Sequence, residues 1–183
     1  MKIAFFSDIH GVAANLELFL KKADEAGAEH LVLLGDALYH GPRNGVPEGY
    51  DPIKTKEILN SRADSIIAVR GNCDADVDQM MLDFPVLAEF SQLLVVNRKI
   101  FITHGHVWNQ ENMPPIADGW LFAHGHTHVP VIKKLDNGVI FFNPGSISLP
   151  KQDFPKSYGL LDDKNLSVHR LDNAEVIMQM QLA

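Results

Sequence analysis

The chain has 183 residues, 46% of them hydrophobic and 21% charged, and a formal net charge of −7. That length suits one domain with its own core, and a single Cys73 rules out an intrachain disulfide framework. The acidic balance speaks against a general grip on nucleic-acid backbone, which needs clustered Lys and Arg. The opening "MKIAFFSDIHG" carries an apolar run that meets Asp8 almost at once. It is too short for a signal peptide or a membrane span, so a cytoplasmic protein is expected.

"KIAFFS" reads as a short strand that stops at a polar loop, "DIHG". From Ala13 to Ala26 the apolar Leu16, Phe19, Leu20 and Ala23 fall at helical spacing, and Gly27 stands where a C-terminal cap belongs. "HLVLLG" is a buried strand, followed by a long loop, "DALYHGPRNGVPEGY". Loops of that length inside a compact domain are often functional. Asp51-Pro52 predicts an N-cap with proline in the first turn, opening a helix to about Arg62. "SIIAV" is a third strand.

After Pro85 the pattern turns to strands. "VLAEFSQLLVV" and "KIFITH" are predicted strands with Asn97 and Arg98 as a tight turn between them. "WLFAH" is another. "VIKKLDNGVIFF" holds Asn137-Gly138 between apolar segments, a strong hairpin signal. "SYGLLDD" and "NLSVHRL" complete the tail. A βαβαβ start with antiparallel strands behind it predicts an α/β layered sandwich, with no internal repeat or linker.

On that map the metal-capable side chains fall in one phase. Asp8 and His10 follow the first strand, Gly35-Asp36 the second, and Gly71-Asn72 the third; His104 ends "KIFITH", and His126 and His128 follow "WLFAH". Ligands bind at that edge of open α/β sheets because the loops converge there. Asp8 and His10 are two apart, as are His126 and His128, so an extended backbone would point each pair one way. Two Asp, one Asn and four His make seven ligands, too many for one tetrahedral ion and suited to two larger-coordinate ions sharing Asp36. Two such ions about 3.5–4 Å apart would polarise a phosphoryl group and activate a bridging water. Taken singly, "DIH", "GD" and Gly71-Asn72 are ordinary caps and turns. Taken together, they would need five coincidences of phase.

In order and spacing, Asp8-Ile9-His10, Gly35-Asp36, Gly71-Asn72, His104-Gly105 and Gly125-His126-Thr127-His128 resemble the motifs of the calcineurin-like metallophosphoesterase superfamily. "HGPRN", "PEGY", "VRGNCD", "VDQM", "THGH", "FNPGS" and "SYG" further resemble its small bacterial YfcE-type phosphodiesterases, over nearly the whole chain. The resemblance implies a single domain over 1–183, a four-layer αββα sandwich and a dinuclear centre usually assayed with Mn²⁺; Fe²⁺, Zn²⁺, Co²⁺ or Ni²⁺ also suit mixed N/O ligands. It implies that Asp8, His10, Asp36 and His128 hold one ion, and Asp36, Asn72, His104 and His126 the other. Asp36, Asn72 and His104 would also serve the chemistry, hydrolysis of a small phosphodiester by a bridging hydroxide. His124 is expected to be supporting or structural, and His106 to line the cleft.

Many superfamily members carry a His directly after the Asn, where this chain has Cys73. A thiol with pKa of about 8.5 could donate a proton to the leaving group, or it could merely fill a tight loop. Arg43, His40 and Arg70 are candidates to bind the substrate phosphate, Arg43 foremost because a guanidinium grips two oxygens at once. Asn143 and Ser146 are expected to shape a loop near the site. Alternative readings are a monoesterase, a nucleotide-directed phosphoesterase, or a protein-binding scaffold of the same fold such as a retromer subunit. A membrane partner is not expected, and a homo-oligomer is compatible with the resemblance.

Overall fold

The computed structural model describes residues 1–95 and 98–182. In chain order the elements are β1 (Ile3–Phe6), α1 (Ala13–Glu25), β2 (His30–Leu33), α2 (Pro52–Asn60), β3 (Ile66–Ala68), α3 (Asp76–Met81), β4 (Phe90–Val95), β5 (Arg98–Thr103), β6 (Leu121–Ala123), β7 (Val131–Lys134), β8 (Ile140–Asn143), β9 (Ser157–Leu161), β10 (Asn165–Arg170) and β11 (Val176–Gln181). They form a six-stranded sheet, order β11-β10-β9-β1-β2-β3, and a five-stranded sheet, order β4-β5-β6-β8-β7. β1, β2 and β3 are parallel in the first, and β5, β6 and β8 in the second. The flanking strands are antiparallel.

Local chemistry explains the boundaries. Helix α1 buries Leu16, Phe19, Leu20 and Ala23, the stripe that its spacing predicts. It ends where Gly27 takes φ 73° and the amide of Ala28 reaches back to the carbonyl of Ala23 at 2.9 Å. Asp51 caps α2, its side chain accepting from the amide of Lys54 at 2.9 Å. The β7–β8 hairpin forms around Asn137-Gly138, with Gly138 at φ 82° and Leu135 bonded to the carbonyl of Val139 at 2.8 Å.

One expectation changes, and two elements, α3 and β11, have none from the sequence. "VLAEFSQLLVV" is strand only from Phe90; Val86 is instead fully buried in the helix-side core, and the carbonyl of Ala88 takes the amide of Arg70 at 2.8 Å. That segment carries the chain from one sheet to the other. Helix α3, the shortest of the three α-helices at six residues, is too short to show a period. β11 half-buries Ile177, Met178 and Met180 at a sheet edge without strict alternation, a weak signal beside the stronger strands before it. Asn97, expected in a turn with Arg98, lies outside the described residues.

Apolar side chains separate into layers. Between the sheets lie Phe5, Val32, Val69, Ile102, Leu121 and Phe142, among others. On the outer face of the first sheet, α1 and α2 cover Phe6, Leu31, Leu33 and Ile66. On the outer face of the second, Phe101, Phe122 and Phe141 are covered by Trp108, Met113, Ile116 and Trp120 from the loop between β5 and β6. Helix thus covers one side and loop the other. The layered α/β sandwich has the parallel strands of both sheets ending near one edge.

Phe142 is fully buried between the sheets, its ring edge-on to Phe5 at 5.3 Å. Phe142→Ala is expected to cost about 3–5 kcal/mol in urea unfolding with an unchanged m-value. A loss below about 1 kcal/mol would show that the interface between the sheets is not the main core.

Candidate active site

The seven sequence-predicted ligands lie in the loops just past β1, β2, β3, β5 and β6. Asp8, His10, Asp36, His104 and His128 are all buried. Five of the seven are held in left-handed backbone: Asp8 at φ 57°, His10 at 49°, Asp36 at 57°, His126 at 66° and His128 at 60°. That region is sparsely used by residues other than glycine, costs of order 1–3 kcal/mol each, and clusters where structure is held for function. It also corrects the geometric argument for the pairs. Asp8 and His10, and His126 and His128, do not converge by lying in extended chain; tight left-handed turns aim them inward.

Glycines allow the approach. Gly71 sits so close to the carboxylate and amide of Asp36 that a Cβ there would collide with both. Gly35, at φ 94°, lies against Gly71.

Three imidazoles are fixed in one orientation. Nδ1 of His10 faces the carbonyl of Tyr39 at 2.9 Å, that of His104 the carbonyl of Leu34 at 2.6 Å, and that of His128 the carbonyl of Leu149. A carbonyl only accepts, so each Nδ1 carries the proton and each Nε2 points inward. This arrangement orients metal-binding imidazoles. Nε2 of His128 and of His10 lie 3.2 and 3.9 Å from Oδ1 of Asp8. Oδ2 of Asp36 lies between Nε2 of His10, at 3.7 Å, and Nε2 of His104, at 3.4 Å. Oδ1 of Asp8 and Nε2 of His10 are buried without a hydrogen-bond partner. Such orphans are costly unless something else engages them, and a divalent cation would satisfy both.

Two groups of side chains offer donor atoms within 4.8 Å of one another around these carboxylates: Asp8, His10 and His128, and Asp8, Asp36 and His104. A third joins His10, Asp36 and Cys73. Oδ1 of Asn72 lies 3.1 Å from Nε2 of His104. The ring of His126 is 5.1 Å from that of His104, outside the tight groups but on the same side.

Burial raises the proton affinity of both carboxylates, yet the facing imidazoles outweigh it: Asp8, opposite His128, is held well below the usual carboxylate range, and Asp36, opposite His104, is lowered as well. Burial opposes charge on His104, but Asp36 and Asp8 prevail and raise it to about 9. Burial lowers His10, and it lowers His126 to about 4 with help from His104. The cluster is anionic oxygen facing imidazole nitrogen, a donor set for a borderline divalent ion.

A calcineurin-like phosphoesterase superfamily domain matches residues 1–165. The chain belongs to that superfamily. It is 48% identical to phosphodiesterase YfcE of Escherichia coli K12 over 183 residues, all of this chain and 98% of that one. The solved structure of YfcE superposes with a TM-score of 0.97 at 46% identity, over the whole of both chains. Vps29 of Entamoeba histolytica, in its zinc complex, shares the fold with a TM-score of 0.65 at 20% identity over 99% of each chain. As a phosphoesterase superfamily member, the protein is a hydrolase of phosphoric esters.

Beside the Asp and His cluster opens a cavity of about 430 Å³, lined by Asp36, Asn72, Cys73, His126 and His128 and by two cations, Arg43 and Lys151. His40 and Arg70 are not among its lining residues. The ring of His40 lies against Tyr39 and Tyr50, and Nε of the exposed Arg70 donates to the carbonyl of Asp74 at 3.1 Å. The thiol of Cys73 is pushed up to about 12, by burial first and then by the charge of Asp36. His106 is exposed, its ring 5.4 Å from His104.

Sequence reasoning passed over three residues. Asp74 is buried and accepts the amides of Gly71 at 2.7 Å, Asp36 at 2.8 Å and Ala37 at 2.9 Å, tying the β2 and β3 loops together. Burial and the charge of Asp36 raise it to about 6. Its signal was a carboxylate inside "RGNCD". Lys151 comes from the chain between β8 and β9, where no local pattern marks it. Ser7 touches the glycine of the His126 loop, since a Cβ on Gly125 would strike its hydroxyl. Asn143 and Ser146 do shape the loops: Asn143 donates to the carbonyl of Gly125 at 2.7 Å, and Ser146 to that of Asp8 at 2.9 Å.

Because His104 keeps its proton up to a pH of about 9, a cation that takes its Nε2 must displace that proton. Calorimetric titration with Mn²⁺ near pH 7.5 should show at least about one proton released, since His128, facing Asp8, is raised as well, read from two buffers of different ionisation enthalpy. In chelator, the contribution of this imidazolium to stability is complete below 6.5, its ordinary value, and is lost as pH rises through about 9. Heats independent of buffer would contradict the assignment.

Proposed function

We propose that the protein is a metal-dependent phosphodiesterase in which Asp8, His10, Asp36 and His128 hold one divalent ion and Asp36, Asn72, His104 and His126 a second. The observation that carries this is Asp36: one carboxylate oxygen within 3.7 Å of His10 and 3.4 Å of His104, from two different loops. A carboxylate can serve two cations at once, whereas an imidazole serves one. Such ions, when bound, stabilise negative charge on a phosphoryl group and make hydroxide available near neutral pH. Mn²⁺ suits the mixed oxygen and nitrogen donors. Relatedness to YfcE supports a diester over a monoester substrate.

The chain's own residues account for binding and orientation. Arg43 and Lys151 face the cavity and would hold the non-reacting phosphoryl oxygens, Arg43 through paired N–H groups. Asp74 keeps Asp36 in register through its backbone amide. Cys73 is poorly matched to proton donation, because burial first, and then the charge of Asp36, hold its proton until a pH of about 12. Its place is structural, with its own amide donating to Asp36 at 2.8 Å. Without a strong proton donor, diesters with weakly basic leaving groups should react fastest.

The same reading treats residues 1–183 as one domain, working in the cytoplasm on a small substrate. None of the described helices is long and apolar enough to cross a membrane.

Chelator-stripped protein should hydrolyse bis(4-nitrophenyl) phosphate only after Mn²⁺ is restored, and the matching monoester much more slowly. Asp36→Asn should lower kcat by at least about 10³-fold while the fold persists, since it removes charge at the shared position. Equal turnover by this variant would refute the bridging role. Cys73→Ser should stay within about tenfold of wild type, against the roughly 10²–10⁴ expected for loss of a general acid. A loss in that larger range would restore Cys73 as the proton donor.

A further inference from the structure

A second cavity, of about 510 Å³, adjoins the first and shares His126 and Thr127 with it. Its remaining wall differs in character. Phe141, His124 and Val129 supply an aromatic and apolar surface, while Gln110 and Lys133 supply polar groups. The rings of Phe141 and His124 are tilted at 42° to one another with centroids 4.4 Å apart, and Nζ of Lys133 stands 5.2 Å over the Phe141 ring while bonding Gln110 at 2.7 Å. A volume of several hundred Å³ with apolar walls and a few convergent polar groups is typical of a site for a small organic group.

His124 adds an independent observation. It is only 4% exposed, yet its Nε2 has no hydrogen-bond partner. Its Nδ1 is engaged locally, 3.0 Å from the carbonyl of Gly125 and 3.3 Å from the amide of Asn143. An imidazole nitrogen left unmatched in a wall beside the reaction centre is expensive unless a ligand meets it. The proposed phosphodiesterase function does not use it.

Building on that function, we propose that the second cavity binds one ester arm of the substrate, the arm that stays on the phosphate, and that this arm is a nucleoside. A nucleobase offers a flat face for the aromatic wall and an edge carrying both donors and acceptors for His124 and Gln110. The shared His126 and Thr127 would join it to the phosphate. Binding energy from such a remote arm can be spent on orienting the reacting centre.

The test is calorimetric binding of thymidine 5′-phosphate and of methyl phosphate to the full chain in Mn²⁺, for wild type and for Val131→Trp, which fills the cavity from β7. Thymidine 5′-phosphate should bind wild type at least tenfold more tightly than methyl phosphate. That advantage should vanish in Val131→Trp, with methyl phosphate unaffected. Should that variant fail to fold, Glu111→Trp blocks the same space from the exposed β5–β6 loop. Equal affinities in wild type, or an advantage that survives blocking, would overturn the subsite. Turnover of bis(4-nitrophenyl) phosphate by the same wild-type sample in Mn²⁺ reports separately on the diesterase reading: its absence would sink that reading whatever the calorimetry shows.

Discussion

Two carboxylates, Asp8 and Asp36, are buried side by side at the edge where the parallel strands of both sheets end. Unpaired, two such charges would be forbidding to desolvate. The protein meets this by surrounding them with imidazoles whose outer nitrogens are tied to backbone carbonyls, so that the inner nitrogens all face oxygen. The rest of the site follows from that constraint. The loops past β1, β2 and β6 turn sharply to bring their polar groups in, and the five predicted ligands they carry sit at positive φ.

Holding that strain is the work of groups that never reach the cavity's centre. Asp74 gathers three backbone amides from the β2 and β3 loops. Ser146 grips the carbonyl of Asp8, and Asn143 ties the loop of His126 to β8. Behind them the apolar core between the sheets keeps β1, β2, β5 and β6 in register, so a change at Phe142 and a change at Asp74 would reach the same site by different routes. The site is therefore assembled from both sheets, and neither sheet alone contains it.

Much of this was legible in the chain. Periodicity located α1 and α2 with their caps, because Leu16, Phe19, Leu20 and Ala23 form one stripe and Asp51-Pro52 is a start signal. The phase of Asp and His after apolar runs located the site, because strands end in loops and loops carry polar groups. What was hidden had little local pattern. The "VLAEF" segment is apolar for a helix-side core that only the crossing between sheets explains. α3 is too short to show a period, and β11 half-buries its residues at a sheet edge.

By itself, the sequence determined which chemical groups exist and in what order they meet the strand ends: seven nitrogen and oxygen donors, one cysteine in place of a histidine, and the helices and strands around them. Those properties depend on near neighbours, and near neighbours are written in the chain. Only the tertiary structure decided how the groups face one another. It placed Asp36 between His10 and His104, surrounded Cys73 with carboxylates, brought Lys151 over the cavity and left Nε2 of His124 unmatched beside a second one. Each of these depends on segments tens to more than a hundred residues apart meeting at one edge, and on the local field they create there, which no spacing along the chain records.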